Sequence, residues 1–168
     1  MNRWNNFIPL FLIAIVFTGC NVYSFTGASI SPEVKTVAIQ YFPNNAPIVN
    51  PNLSSAFTEK LKDKFVSQTN LNLVDSPGDL NFSGAITGYS TQPIAIQENE
   101  TAALNRLTIT INVKFVNLKD PRQDFESNFS RYSDYNAQES LTSVEDELVN
   151  LINEQLVDDI FNRAVINW

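Results

Sequence analysis

The chain has no histidine, one cysteine and five glycines in 168 residues. Without histidine there is no Ser-His or Cys-His catalytic pair and no imidazole metal site. The lone thiol, Cys20, can form neither a disulfide within the chain nor a thiolate cluster nor a redox pair. No phosphate loop or dinucleotide fingerprint occurs among the scattered glycines. Long apolar runs are also missing. The longest, Phe7 to Phe17, is interrupted at Pro9 and falls short of the roughly 17–25 residues that a bilayer-spanning helix needs. Positive charge is scarce, with eleven Lys and Arg against eighteen Asp and Glu. That balance argues against nucleic acid, whose binding needs basic stripes and counterion release, and against adsorption to anionic lipid. Carboxylates are plentiful, and Glu145-Asp146-Glu147 and Asp158-Asp159 are the densest groups. They fall on the polar side of a long amphipathic segment, whereas paired-acid hydrolysis needs enclosed acids with shifted pKa values. The sequence therefore reads as non-enzymatic, with no cofactor and no metal.

What is present begins with Phe17-Thr18-Gly19-Cys20. Arg3 supplies a positive start, an apolar run follows, and the small residues Thr18 and Gly19 precede the cysteine. This is the pattern of a bacterial lipoprotein signal, in which Cys20 is lipidated and cleavage falls between Gly19 and Cys20. The alternatives are an ordinary signal peptide containing a cysteine, or a buried single-pass helix. On the lipoprotein reading, residues 1–19 are a signal peptide, 20–33 a lipidated tether and 34–168 one folded domain. Three acyl tails would far exceed the hold of a single myristoyl chain, at about 0.8 kcal/mol per buried methylene. The 149 residues from Cys20 onward suffice for one core, and removing Arg3 leaves a formal charge of −8.

Along the chain, Val34 to Phe42 is β-rich and nearly continuously apolar after Lys35, as a buried central strand should be. Asn50-Pro51 opens a helix as cap and first residue. In it Leu53, Phe57, Leu61 and Phe65 form a stripe, with Ala56 beside them. Leu71 to Val74 is a short strand, so this strand–helix–strand unit predicts a parallel pair. From Leu80 the pattern becomes antiparallel, with Gly84 and Gly88 marking a bulge or close packing. The loop around Glu98-Asn99-Glu100 leads to the clearest strand. Leu107, Ile109, Ile111, Val113 and Phe115 point one way, and Arg106, Thr108, Thr110, Asn112 and Lys114 the other. After the Asp120-Pro121 turn, Asp124 to Tyr132 returns as a fifth strand. A last helix runs from Leu141 to about Asn167, with Thr142-Ser143-Val144-Glu145 as a capping box. Its apolar face holds Leu141, Val144, Leu148, Ile152, Leu156, Ile160 and Ala164, widened by Val149, Leu151, Val157, Phe161, Val165 and Trp168. The expected fold is α+β: a mixed four- to five-stranded sheet in the order β-α-β-β-β-β-α, with two helices on one face and the other face open.

Charge is uneven. Residues 106–131 carry Arg106, Lys114, Lys119, Arg122 and Arg131 against Asp120, Asp124 and Glu126. Arg106 and Lys114 share the wet face of the fourth strand. They are either solubilising charges on a solvated face or a cationic, hydroxyl-lined surface for a phosphorylated glycolipid or a protein wall.

Several stretches carry a family resemblance. They are Cys20-Asn21-Val22-Tyr23-Ser24-Phe25-Thr26-Gly27, Val37-Ala38-Ile39-Gln40-Tyr41-Phe42-Pro43-Asn44-Asn45, and Glu100-Thr101-Ala102-Ala103-Leu104-Asn105-Arg106-Leu107-Thr108-Ile109, with the long acidic helix closing at Trp168. Together they make the chain resemble the LptE family of outer-membrane lipopolysaccharide-assembly lipoproteins, in the form found in Bacteroidetes. Proteobacterial members usually begin Cys-Gly-aromatic-x-Leu-Arg-Gly; here an extra residue precedes Tyr23 and Thr26 stands in place of their arginine. The resemblance implies a two-helix, mixed-sheet domain, lipid-anchored on the periplasmic side of the outer membrane. It also implies an LptD-type β-barrel partner whose lumen it plugs, and delivery of lipopolysaccharide to the outer leaflet. The competing reading is a stand-alone periplasmic lipid- or glycolipid-binding lipoprotein. Arg106 and Lys114 are the candidate lipopolysaccharide or barrel contacts, on strand parity alone.

Overall fold

The computed structural model describes residues 30–48, 50–94 and 103–165. Its elements are β1 (Thr36–Ile39), α1 (Leu53–Gln68), β2 (Asn72–Val74), β3 (Leu80–Ile94), β4 (Leu104–Asn117), β5 (Phe125–Asn136) and α2 (Leu141–Val165). A 3-10 turn at Pro121–Gln123 joins β4 to β5. The strands form one sheet in the order β2-β1-β3-β4-β5. β1 is parallel to both its neighbours, and β3, β4 and β5 are antiparallel. Both helices cover one face, as the α+β pattern predicted.

The alternation along β4 fixes which face that is. Leu107, Ile109, Ile111, Val113 and Phe115 are all buried. From α1, Leu53, Phe57, Leu61 and Phe65 close over β1 and β3, and from α2, Leu148, Ile152, Leu156 and Ile160 complete the same core. Ala56 is exposed, and Ser54 and Thr58 take the buried positions beside the stripe instead. Leu151 lies outside the apolar face of α2, and Asn153 lies within it.

Several element ends differ from the sequence expectation. β1 stops at Ile39 because the Phe42 N–H turns from the sheet to the Thr58 hydroxyl of α1, at 3.2 Å. The chain then rejoins β3 only at Asn44, which bridges Ile86. α1 begins at Leu53 rather than at Pro51, and Asn50 supports the turn before it, its Oδ1 accepting from Asn52 N at 2.9 Å and Leu53 N at 3.1 Å. The Thr142–Glu145 capping box does not form. Ser140 opens α2 instead, accepting from Ser143 N at 3.0 Å, while Glu145 is engaged by Tyr89 and Asn50. β5 continues four residues past Tyr132, because its register with β4 holds without a break to Asn136. The end of the last helix beyond Val165 and the loop around Asn99 lie outside the described residues.

Two local devices hold the sheet in shape. Gly84 has φ +154°, and a Cβ there would sit 2.0 Å from the Asn112 carbonyl oxygen and 2.9 Å from the Phe42 ring. Two residues on, the β3–β4 register shifts between Ile86 and Gly88. Just ahead of β3, the Asp79 carboxylate accepts from Lys35 N at 2.8 Å and Thr36 N at 3.1 Å, and pairs with Lys119 Nζ at 3.2 Å. It thereby fastens the entry of β1 to the β4–β5 loop.

Gly84→Ala should lower unfolding free energy by at least about 2 kcal/mol, because it adds backbone strain to a steric clash. Gly88→Ala, whose Cβ would meet Thr110 Cβ at 3.1 Å, should cost less; urea midpoints compare them, and equal losses would refute the assignment. For Asp79, the Lys35 amide first and then Lys119 and Thr36 hold the pKa down at about 2, against an opposing burial effect. A depressed folded pKa contributes stability that is complete above the unfolded value near 4 and disappears as pH falls through about 2. The wild-type minus Asp79→Asn difference in urea midpoint should therefore shrink between about pH 4 and pH 2; a difference constant across that window would exclude this role.

Candidate functional site: the open sheet face

β3, β4 and β5 run side by side for 15, 14 and 12 residues, and no described helix covers their outer face. Strand parity gives that face Ser83, Ser90 and Gln92 from β3 and Arg106, Thr108, Thr110, Asn112 and Lys114 from β4. β5 adds Glu126, Asn128, Ser130, Tyr132 and Asp134. Neighbouring strands link these groups to one another. The Thr110 and Ser130 hydroxyls are hydrogen-bonded at 2.9 Å between oxygens, and Asn112 Nδ2 donates to Asn128 Oδ1 at 3.0 Å. Such hydroxyl and amide pairs suit a hydrated surface, since each retains free donors and acceptors toward water or a partner.

Arg106 lies in the most organised part of the face. Its guanidinium donates to both oxygens of Asp134, Nε to Oδ1 at 2.7 Å and Nη2 to Oδ2 at 2.9 Å. The same guanidinium stacks 3.5 Å from the ring centre of Tyr132, a residue that remains half exposed. Hydrogen bonding to Asp134 raises the Arg106 pKa, and Arg106 in turn lowers that of Asp134. Lys114 is different: it stands across from Glu126 and Ser83 and takes part in none of the ion pairs found among the described residues. At about 3.3 Å per residue the two cations are roughly 26 Å apart along β4. They share a face without forming one binding point.

The other cations of the hairpin are each matched to an acid. Lys119 pairs with Asp79 at 3.2 Å, Arg122 with Asp120 at 2.8 Å, and Arg131 with Asp159 of α2 at 2.6 Å. Arg131 stands opposite Ile109 and so belongs to the helix side of the sheet. On the far side of the helices, Lys60 binds Glu154 and Lys64 binds Asp158, each at 2.8 Å. These pairs fasten α1 to α2 and occupy two of the acids of the groove between them. Among the described residues no group of three or more Cys, Asp or Glu side chains is placed to hold a metal.

A polar clasp closes the other end of the domain. The Tyr89 hydroxyl donates to Glu145 Oε1, which also accepts from Asn50 Nδ2 at 2.8 Å. Burial first, then the neighbouring Glu145, drives the tyrosine pKa upward, so it stays a neutral donor. The clasp joins β3, the entry to α1 and the first turns of α2. Sequence reasoning located Arg106 but missed Tyr132 and Asp134 as its partners. Their signal was the hairpin register, which places residue 134 opposite 106 only once β5 is extended past Tyr132. Gly19 and Cys20 lie outside the described residues.

The geometry defines a two-layer domain that offers a broad polar surface on one side of its sheet and carries both helices on the other. A family model described as LptE, lipopolysaccharide-assembly, matches residues 34–164, and the chain belongs to that family. It is thereby assigned to lipopolysaccharide assembly at the outer membrane, in a family whose members are not enzymes. No curated protein sequence matches the chain. Among solved structures it is similar to a Helicobacter pylori homologue of neuraminyllactose-binding hemagglutinin, with 9% identity, TM-score 0.51, and coverage of 78% of this chain and 82% of that one. It is also similar to a minor lipoprotein of Acinetobacter baumannii, with 12% identity, TM-score 0.46, and coverage of 80% and 95%. A third is rare lipoprotein B of Shewanella oneidensis, with 11% identity, TM-score 0.41, and coverage of 77% and 90%. At these identities the Helicobacter structure supports the fold alone, and the other two carry no further argument. No described helix is long and apolar enough to cross a membrane.

Proposed function

We propose that the chain is a lipoprotein subunit of the outer-membrane lipopolysaccharide translocon. Its signal peptide, residues 1–19, is removed; Cys20 is lipidated on the periplasmic side; residues 20–33 tether the domain. The domain plugs an LptD-type β-barrel, helps it assemble and assists delivery of lipopolysaccharide to the outer leaflet. The observation that carries this reading is the outer face of β3–β5. It is about 40–50 Å long, lined by hydroxyls, amides and paired charges, and left bare by its own helices. A water-lined barrel lumen is matched by such a surface, because neither side must bury an unsatisfied polar group. Family membership supports the same partner.

The reading is tested by purifying the tagged full-length protein from outer membrane in gentle detergent. A large β-barrel protein should be recovered in near-equal amount. A free monomer that binds lipopolysaccharide tightly by itself would instead favour a stand-alone glycolipid-binding lipoprotein.

Arg106 and Lys114 are the contacts proposed on this face. Arg106→Glu with Lys114→Glu should reduce barrel recovery and sensitise cells to detergent while the far-ultraviolet circular dichroism of the domain stays unchanged. Normal envelope integrity and normal recovery in the double variant would reduce both side chains to solubilising charges.

A further inference from the structure

The open face is not uniform along its length. Strand register sets its outward side chains in rows that cross β3, β4 and β5. One row is Gly88, Thr110 and Ser130, and the next is Ser90, Thr108 and Tyr132. The third is Gln92, Arg106 and Asp134. Up to Tyr132, the first two rows hold nothing longer than threonine, so they form a low floor of hydroxyls. With strands about 4.8 Å apart and successive rows about 7 Å apart, that floor measures roughly 10 Å by 7 Å. Tyr132 and Arg106 rise from it as a stacked pair, the guanidinium carbon 3.5 Å from the ring centre. The corner is a step above a floor.

Charge at the step is balanced internally. Arg106 holds both oxygens of Asp134, so an entering phosphate would have to displace that carboxylate or lie beside it. Anionic ligands are disfavoured there. The fork leaves other guanidinium N–H groups and carboxylate lone pairs unused, and so offers donor and acceptor side by side. Vicinal hydroxyls, each both donor and acceptor, complement that arrangement. Tyr132 is 50% exposed, which leaves ring surface that the C–H groups of a ligand can cover. A protein wall would rest on the step and meet the floor only through water. A sugar ring is small enough to lie on the floor itself.

We infer that this corner of the open face binds an uncharged pyranose unit of a saccharide chain. The C–H side of the sugar covers the exposed part of the Tyr132 ring, and two neighbouring hydroxyls meet the Arg106–Asp134 fork. The Ser90, Thr108 and Ser130 hydroxyls receive the remaining polar edge. This assignment rests on the reading of the face as a lipopolysaccharide contact, and it names the part recognised: sugar, rather than phosphate or acyl chain. It also gives Arg106 a different task from Lys114, which has no ion-pair partner among the described residues.

The test uses the full-length protein, purified from outer membrane in a detergent without a sugar headgroup. The probe is the oligosaccharide released by mild acid from the same cells' lipopolysaccharide and then dephosphorylated. Magnetic saturation of the protein's aromatic protons should transfer to sugar C–H protons. Tyr132→Ala should lower that transfer about fivefold or more, because the stacking surface is lost. Tyr132→Phe, which keeps the ring, should retain at least about half of it. If Tyr132→Ala fails to fold, Ser90→Leu poses the same question by filling the floor while leaving the stacked pair in place. The inference is overturned by absence of transfer, by transfer indifferent to these substitutions, or by an equal loss in Tyr132→Phe. Abolition of the transfer by inorganic phosphate also overturns it, since Arg106 would then be an anion site. Co-purification of a barrel without sugar transfer would sink this inference and leave the proposed function standing; sugar transfer without a barrel would do the reverse.

Discussion

A line of phenylalanine rings runs through both helices and strands β3, β4 and β5, on the covered side of the sheet. Phe161 of α2 meets Phe65 of α1 at 5.0 Å between ring centres, and Phe65 meets Phe82 of β3 at 4.8 Å. Phe82 meets Phe115 of β4 at 4.8 Å, Phe115 meets Phe125 of β5 at 5.2 Å, and Phe125 meets Phe129 at 6.2 Å. Burying one such side chain is worth about 1.5–3 kcal/mol. The net stability of a domain is only about 5–15 kcal/mol, so this row is decisive. Strand residues two apart share a face, and these rings draw both helices to the same one. The opposite face is then left free.

That freedom explains the distribution of charge. A sheet face with no cover must remain soluble, and here it does so without accumulating net positive potential. Arg106 is neutralised by Asp134 within the face, and Arg131 is taken to the helix side by Asp159. Exposed pairs of this kind add little stability. If the face meets a partner as proposed, that partner meets oriented donors and acceptors of the Arg106–Asp134–Tyr132 cluster rather than a diffuse positive field. Specificity then depends on geometry at short range, where hydrogen-bond direction matters more than attraction from a distance.

Much of this was legible in the sequence, for reasons that can be located. β4 was readable because alternation over ten residues has no competing interpretation, and α1 because its stripe recurs at helical spacing. The mixed strand order followed from a helix of crossover length between two short strands. What escaped depended on contacts distant along the chain. The Thr142–Glu145 box looked local, but Glu145 is held by Tyr89, 56 residues away. β1 was read too long because nothing in Gln40-Tyr41-Phe42 announces that Thr58 will take the Phe42 amide. The hairpin charge was counted correctly, yet its sign carried little information without the register that sends Arg131 and Lys114 to opposite faces.

The chain enters the sheet at one end of the open face. Residues 31–36 lead into β1 at the end where Asp79 binds the Lys35 and Thr36 amides and Lys119. Val37 pairs with Leu80, and Leu80 with Asn117, so the Lys114 end of β4 lies at the tether end of the sheet. Arg106 lies roughly 26 Å further along the strand. A compact ligand cannot touch both cations at once. An elongated partner can, and a barrel wall running along the strands or a saccharide chain passing over them has the required length. The face is therefore better suited to guiding or lining a path than to enclosing a single bound molecule.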